Sequence, residues 1–225
     1  MANVDLDDVV ERVASDKAYD PMFEQAYGDE TITLERISDA LAAFQVTLDR
    51  ATRFDRFLAG NTRVLSDEAV WGLHLFRTKA RCVNCHMGPH LTDNKFHNIG
   101  LSYYNRKFED LGRHDITGDP EDAGHFRTAS LRHVSRTAPY MHNGLFPNLR
   151  GLVNLHAFGG GRSARDLGNA DPLYPSAAHV SEHLRPLVLS PSERAALVAF
   201  LESLWPVPDP AVGRFKAQVA SLLQV

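Results

Sequence analysis

The stretch that decides the reading is residues 80–93, "ARCVNCHMGPHLTD", which contains Cys82 and Cys85, the only two cysteines in a chain of 225 residues. Two cysteines separated by two residues fit three chemistries: half of a zinc site, a thioredoxin-like redox pair or a haem attachment site. The residue after the second cysteine separates them, and here it is His86. Haem c needs two thiols for thioethers to its vinyl groups and an adjacent imidazole for its iron. Cys82, Cys85 and His86 supply all three in one turn of chain. Zinc needs further ligands at short spacing. No second CxxC exists, although His90 and His97 could complete a Cys2His2 set. A thioredoxin-like pair calls for a βαβ context, which the flanking sequence lacks. The expected cofactor is therefore one covalent haem c, with Cys82 and Cys85 as anchors and His86 as proximal iron ligand. Such attachment usually takes place outside the cytoplasmic membrane, so the periplasm is the expected location, with a signal peptide left off this chain.

The rest of the composition narrows the class. The chain is 44% hydrophobic and 23% charged, with 24 Lys and Arg against 28 Asp and Glu and a formal net charge of -4. No basic run occurs, which argues against a nucleic-acid partner. No segment approaches the roughly 20 consecutive apolar residues of a membrane helix. A mildly acidic surface suits small basic protein partners.

Outward from the cysteines the pattern is helical, with long loops. "SDEAVWGLHLFRTKA" places Val70, Leu73 and Phe76 at helical spacing and runs into the haem motif. Earlier, "LERISDALAAFQVTLDR" lines Leu34, Ile37, Leu41, Phe44 and Leu48 along one helical face. Near the end, Ser190, Pro191 and Glu193 make a capping box with proline at the first helical position. Leu197, Phe200, Leu201 and Leu204 follow on one face, and Pro206, Pro208 and Pro210 stop the helix. Residues 98–135 are rich in Gly, Asp and Arg without a sustained period, a length that implies packing on something as large as a haem. The expected fold is all-α: a cytochrome c-like haem domain with long irregular loops over 61–225, preceded by a helical extension over 1–60.

"GLHLFRTKARCVNCHMGPHLTDNKFHNIG", "FRTASLRHVSRTAPYMHNG", "GLVNLHAFGGG" and "LSPSERAALVAFLESL", in that order, resemble the C-terminal half of bacterial dihaem cytochrome c peroxidases and their MauG-type relatives. "YDPMFEQAYGDETITLERISDALAAFQVTLDRATRFDRFLAG" resembles the segment that joins the two domains of that family. Members carry two CxxCH motifs, the earlier one on the haem at which peroxide reacts, whereas this sequence has one. Ala129 and His133 stand where relatives usually have proline and asparagine.

The resemblance also implies site residues. The sixth iron ligand, usually methionine in the peroxidases and tyrosine in MauG-type proteins, aligns with His156. Leu149, Leu152 and His156 share a helical face, and Met141 in "PYMHNG" is the alternative ligand. Arg127 and Arg132 are candidates for haem propionates, because a guanidinium offers a carboxylate two donors. A calcium ion between the family's two domains would draw on the backbone carbonyls of Thr137 and Pro139. The tryptophan that bridges the two haems lies in the first domain, so Trp71 and Trp205 inherit no such role.

The function implied is electron transfer. The haem c domain would accept electrons from a small donor such as a cytochrome or cupredoxin and pass them to a peroxide-reacting haem domain, in the same protein or another chain, as part of a cytochrome-c peroxidase. The alternative is a stand-alone monohaem peroxidase that reacts with hydrogen peroxide at this iron, with His142 or His156 as acid and base. A zinc-stabilised interaction module without haem is the third reading.

Overall fold

The computed structural model describes residues 5–161 and 171–206. It divides into two compact units, Met1–Arg50 and Ala51–Val225. The division thus falls ten residues before the expected one at 60, because Thr52 and Asp55 are tied to the second unit.

The first unit holds α1 (Asp7–Ser15), α2 (Asp20–Tyr27) and α3 (Leu34–Leu48). Thr33 caps α3 by accepting from the Arg36 backbone N–H at 3.2 Å. The Arg36 guanidinium grips both carboxylate oxygens of Asp29, at 2.6 and 2.9 Å, and so fixes the turn before the helix. The apolar stripe of α3 exists as the spacing requires, yet Leu41, Phe44 and Leu48 are 54%, 59% and 50% exposed. The face is formed and left uncovered.

The second unit is helical apart from one small sheet. It contains α4 (Arg53–Leu58), α5 (Asp67–Arg77), β1 (Phe96–His97), α6 (His114–Thr117), β2 (Phe126–Arg127), α7 (Leu149–Ala157), α8 (Tyr174–Ala177) and α9 (Pro191–Ser203). β1 and β2 pair antiparallel, Phe96 opposite Arg127 and His97 opposite Phe126. The fold class is therefore all-α in substance, with long irregular loops. Among the described residues no helix is long and apolar enough to cross a membrane.

The core sits where α5, α7 and α9 meet. α9 opens on the expected capping box, in which Ser190 accepts from Glu193 N–H while the Glu193 carboxylate accepts from Ser190 N–H. Its Leu197, Phe200, Leu201 and Leu204 are all buried. Pro206 lies just past its end, and Pro208 and Pro210 lie outside the described residues. The buried side of α5 is Ala69, Gly72, Leu75 and Phe76, whereas Val70 and Leu73 sit at its margin. Phe200 meets the rings of Phe54 and Phe76 edge-on at 5.3 and 5.1 Å, locking α4, α5 and α9 together.

The long segment after the haem motif is ordered by protein contacts. Asn98 is 1% exposed, and its amide donates to the carbonyls of Ser176 and Ala177 at 2.8 and 3.1 Å. Its own carbonyl oxygen accepts from Gly100 N–H at 2.8 Å. A residue 78 positions away in sequence therefore closes this loop.

Candidate haem-binding site

α5 delivers the cysteines. Its last turn closes through Thr78 N–H to the carbonyls of His74 and Leu75 and Ala80 N–H to Leu75, and the chain then turns at Arg81 into a 3-10 turn over Cys82–Asn84. His86 N–H donates to the Cys82 carbonyl at 2.9 Å, which brings Cys82, Cys85 and His86 into the single turn that the motif requires. Cys82 and Val83 pack on the α5, α7 and α9 core together with Met141 and Phe146.

Both cysteines are free thiols. Burial pushes the Cys82 thiol up to about 12, and burial together with the nearby Asp93 carboxylate raises Cys85. Neither is a thiolate at neutral pH, the opposite of a redox-active pair, whose nucleophile needs a depressed pKa.

His86 and His156 are built alike. The Nδ1 of His86 lies 3.0 Å from the Leu91 carbonyl oxygen, and the Nδ1 of His156 lies 2.9 Å from the Leu152 carbonyl oxygen. A carbonyl can only accept, so each Nδ1 carries its proton and each Nε2 keeps its lone pair for a metal. Burial drives His86 down to about 4, partly offset by its bond to Leu91, and His156 acts on it in the same direction as burial. The two rings are thus within electrostatic reach. Burial also lowers His156. Both imidazoles are neutral at physiological pH, the state in which an imidazole can ligate a metal.

His156 is carried by α7, which is capped at both ends. Asn148 accepts from Gly151 N–H at 2.9 Å at the start. At the end, Gly159 (φ 84°) and Gly160 (φ 96°) give their N–H groups to the carbonyls of His156 and Leu155 at 3.0 Å. A side chain is disfavoured at that φ, so this is where the glycine run is needed.

The other expected residues fall differently. Met141 packs at the edge of the core with φ 69°. The ring of His142 stacks on Phe126 at 3.6 Å and 4°, with Nε2 3.9 Å from Asp110. Burial lowers its pKa, partly offset by Asp110. Arg127 is exposed and donates to Asn94 Oδ1 at 3.1 Å, so it remains at the surface as a propionate candidate. The Arg132 guanidinium is bidentate on Asp55, with Nη1 and Nη2 each 3.0 Å from a carboxylate oxygen. That fork therefore meets a protein carboxylate as well as any propionate it would hold. Thr137 and Pro139 lie on an exposed turn. Two carbonyls supply only a fraction of the six to eight oxygens that calcium takes, so these residues alone do not fit the ion.

Sequence reasoning missed Asp93. Its N–H donates to the Cys85 carbonyl at 2.8 Å, and its Oδ2 lies 2.8 Å from His97 Nε2. Cys85, Asp93 and His97 place one donor atom each within 4.8 Å of one another. Nothing in the spacing distinguishes this aspartate from the chain's other acids. It also missed the Leu91 and Leu152 carbonyls, since backbone partners leave no trace in side-chain pattern.

A family model described as di-haem cytochrome c peroxidase matches residues 1–63. The chain is 36% identical over 207 residues to the methylamine utilization protein MauG of Methylophilus methylotrophus, covering 90% of this chain and 56% of that protein. It is 32% identical over 216 residues to the cytochrome-c peroxidase IdrP1 of Pseudomonas sp. (strain SCT), covering 83% of this chain and 53% of the relative. Among solved structures, a MauG-like protein associated with microbial copper homeostasis superposes with a TM-score of 0.68 at 31% identity, over 91% of this chain and 63% of that one. The chain spans about half the length of the curated relatives it matches.

Proposed function

Because this chain belongs to the dihaem cytochrome c peroxidase and MauG family, we propose that it is the family's electron-transferring haem c domain. Cys82 and Cys85 would hold the group by thioethers, His86 would take one face of the iron and His156 the other. Haem c supplies a one-electron Fe(III)/Fe(II) couple. The protein's own part is to present two neutral imidazoles, keep water from the iron and set the potential through burial and axial ligands. Electrons would enter from a small cytochrome or cupredoxin and leave to a peroxide-reacting haem in the companion domain of the complete protein or in another chain. The place of action would be the periplasm.

One observation carries this reading. His86 and His156 are both half-buried, both neutral and both turned so that Nε2 is the unprotonated nitrogen. Two such ligands saturate the iron, which suits electron transfer and leaves no position for peroxide. Met141 lacks this supporting geometry.

The test is the optical spectrum of the haem-matured chain, oxidised, reduced and after hydrogen peroxide, beside His156→Gly. A low-spin spectrum that peroxide leaves unchanged, turning high-spin in the variant, is expected. A high-spin spectrum that peroxide shifts in the unaltered chain would overturn the proposal and make this iron the reaction site.

A further inference from the structure

We propose that Cys85, Asp93 and His97 form, before haem is attached, a binding site for a thiophilic divalent cation of the zinc class. One sulfur, one carboxylate oxygen and one imidazole nitrogen lie within 4.8 Å of one another. Zinc bonds to these three donor types run from about 2.0 to 2.3 Å, which sets tetrahedral neighbours about 3.3–3.8 Å apart. The Asp93 and His97 donors, 2.8 Å apart, therefore open by about 0.5 Å, while the sulfur closes on them by about 1.5 Å at most. Three protein ligands leave a fourth position for water.

The surroundings hold the donors in place. Asp93 N–H is bonded to the Cys85 carbonyl at 2.8 Å, which sets the carboxylate beside the thiol. Asp93 Oδ1 accepts from Lys95 N–H at 2.9 Å, leaving Oδ2 directed at His97 Nε2. The side chains of Asp93 and His97 are only 7% and 16% exposed. Ser181 Oγ stands 3.5 Å from His97 Nδ1, on the far side of the ring, where it can accept a hydrogen bond from Nδ1–H once the proton has moved there and Nε2 turns to the cation. On binding, Cys85 gives its proton to solvent, while Asp93 enters as a carboxylate and His97 as neutral imidazole.

Cation and haem compete for one sulfur, because thioether formation at Cys85 removes the thiolate that the cation needs. This competition rests on the haem reading above, whereas binding to the haem-free chain does not. The experiment uses the full haem-free chain, with zinc measured by competition against a chromophoric chelator and cobalt(II) as the spectroscopic probe of a sulfur-to-metal band. One cation per chain is expected, with the sulfur band lost in Cys85→Ser. Affinity should fall by at least about tenfold in Asp93→Asn and in His97→Gln, and should be retained in Cys82→Ser. No binding would overturn the proposal. So would binding that needs Cys82 and ignores Asp93 and His97, since that is chelation by the CxxC pair in any conformation. The same titration on the haem-matured chain should show no sulfur band. A band there would sink covalent haem attachment at Cys85 while leaving the cation site standing.

Discussion

Gly72→Ala tests the packing that holds the haem motif in place. Gly72 lies in the middle of α5, where an alanine would ordinarily stabilise an exposed helix by about 0.8–1 kcal/mol. Here a methyl group would overlap the Ala196 carbonyl oxygen and stand 2.5 Å from the Ala196 carbonyl carbon and 2.9 Å from Phe200 Cβ. Ala196 and Phe200 are both 0% exposed, so neither can swing aside, and the obstacle is backbone rather than a side-chain tip. α5 and α9 must separate. Overpacking of this kind costs about 1–3 kcal/mol and occasionally more, and the upper part of that range applies when a main chain has to move. After the helix-propensity gain, a net loss of about 2 kcal/mol is expected, equivalent to a Tm lower by about 4–8 °C for a chain of this size. Urea unfolding followed by far-ultraviolet circular dichroism measures it. Because α5 leads directly into Cys82, the fraction of chain that acquires haem during maturation should fall as well. A variant as stable as the parent would refute the close crossing of α5 and α9.

Acid should weaken the haem-free chain. His86 stays neutral down to about 4 in the folded state against 6.5 when unfolded, so the unfolded chain binds the extra proton. Stability is lost as pH falls from 6.5 to 4, by about 3 kcal/mol at 1.36 kcal/mol per unit. His156 and His142 act in the same direction, and urea midpoints at pH 7 and pH 5 that coincide would contradict it. Asp55→Ala should cost more than Arg132→Met, by about 1 kcal/mol. Asp55 not only pairs with Arg132 but also accepts from Thr52 N–H at 2.6 Å at the start of α4; equal losses would show that the cap contributes nothing. Asn148→Ala should cost about 1 kcal/mol through the α7 cap. It should also introduce a high-spin fraction in the haem-matured chain, whereas an unchanged spectrum would mean that the α7 N-terminus does not steady His156.

What could be read in the sequence was what is local. Cys82, Cys85 and His86 lie within five residues, and the Ser190 capping box lies within four, so both survive translation into structure unchanged. In α5 the expected Phe76 is buried but Val70 and Leu73 lie at the margin, because periodicity counts large apolar residues. Val70 and Leu73 attracted the prediction, while the buried stripe runs through Ala69 and Gly72, where small size is what the crossing with α9 demands. α3 shows the complementary failure. Its stripe was correctly placed, but spacing says that a face is apolar and nothing about what covers it, and Phe44 remains 59% exposed. Arg132 is a propionate candidate because a guanidinium invites any carboxylate. Its partner Asp55 lies 77 residues earlier, a separation at which no pattern helps.

The two histidines join these levels. His86 reaches its orienting carbonyl through the loop that ends at Leu91, whereas His156 uses the carbonyl one turn back in its own helix, an acceptor with a second lone pair after the helical bond. Two unrelated local conformations thus deliver the same product: a neutral ring with Nδ1 protonated and Nε2 open. Metal capture at these positions then requires neither deprotonation nor a change of tautomer. That readiness has a cost in the folded chain, since each buried ring resists the proton it would take in water, and the burden falls on the haem-free state below pH 6.5. Once iron occupies Nε2 the proton can no longer bind there. Under the proposed ligation the haem-free chain should be acid-sensitive and the haem-loaded chain should not, and a chain equally acid-labile in both states would have its imidazoles somewhere other than on the iron.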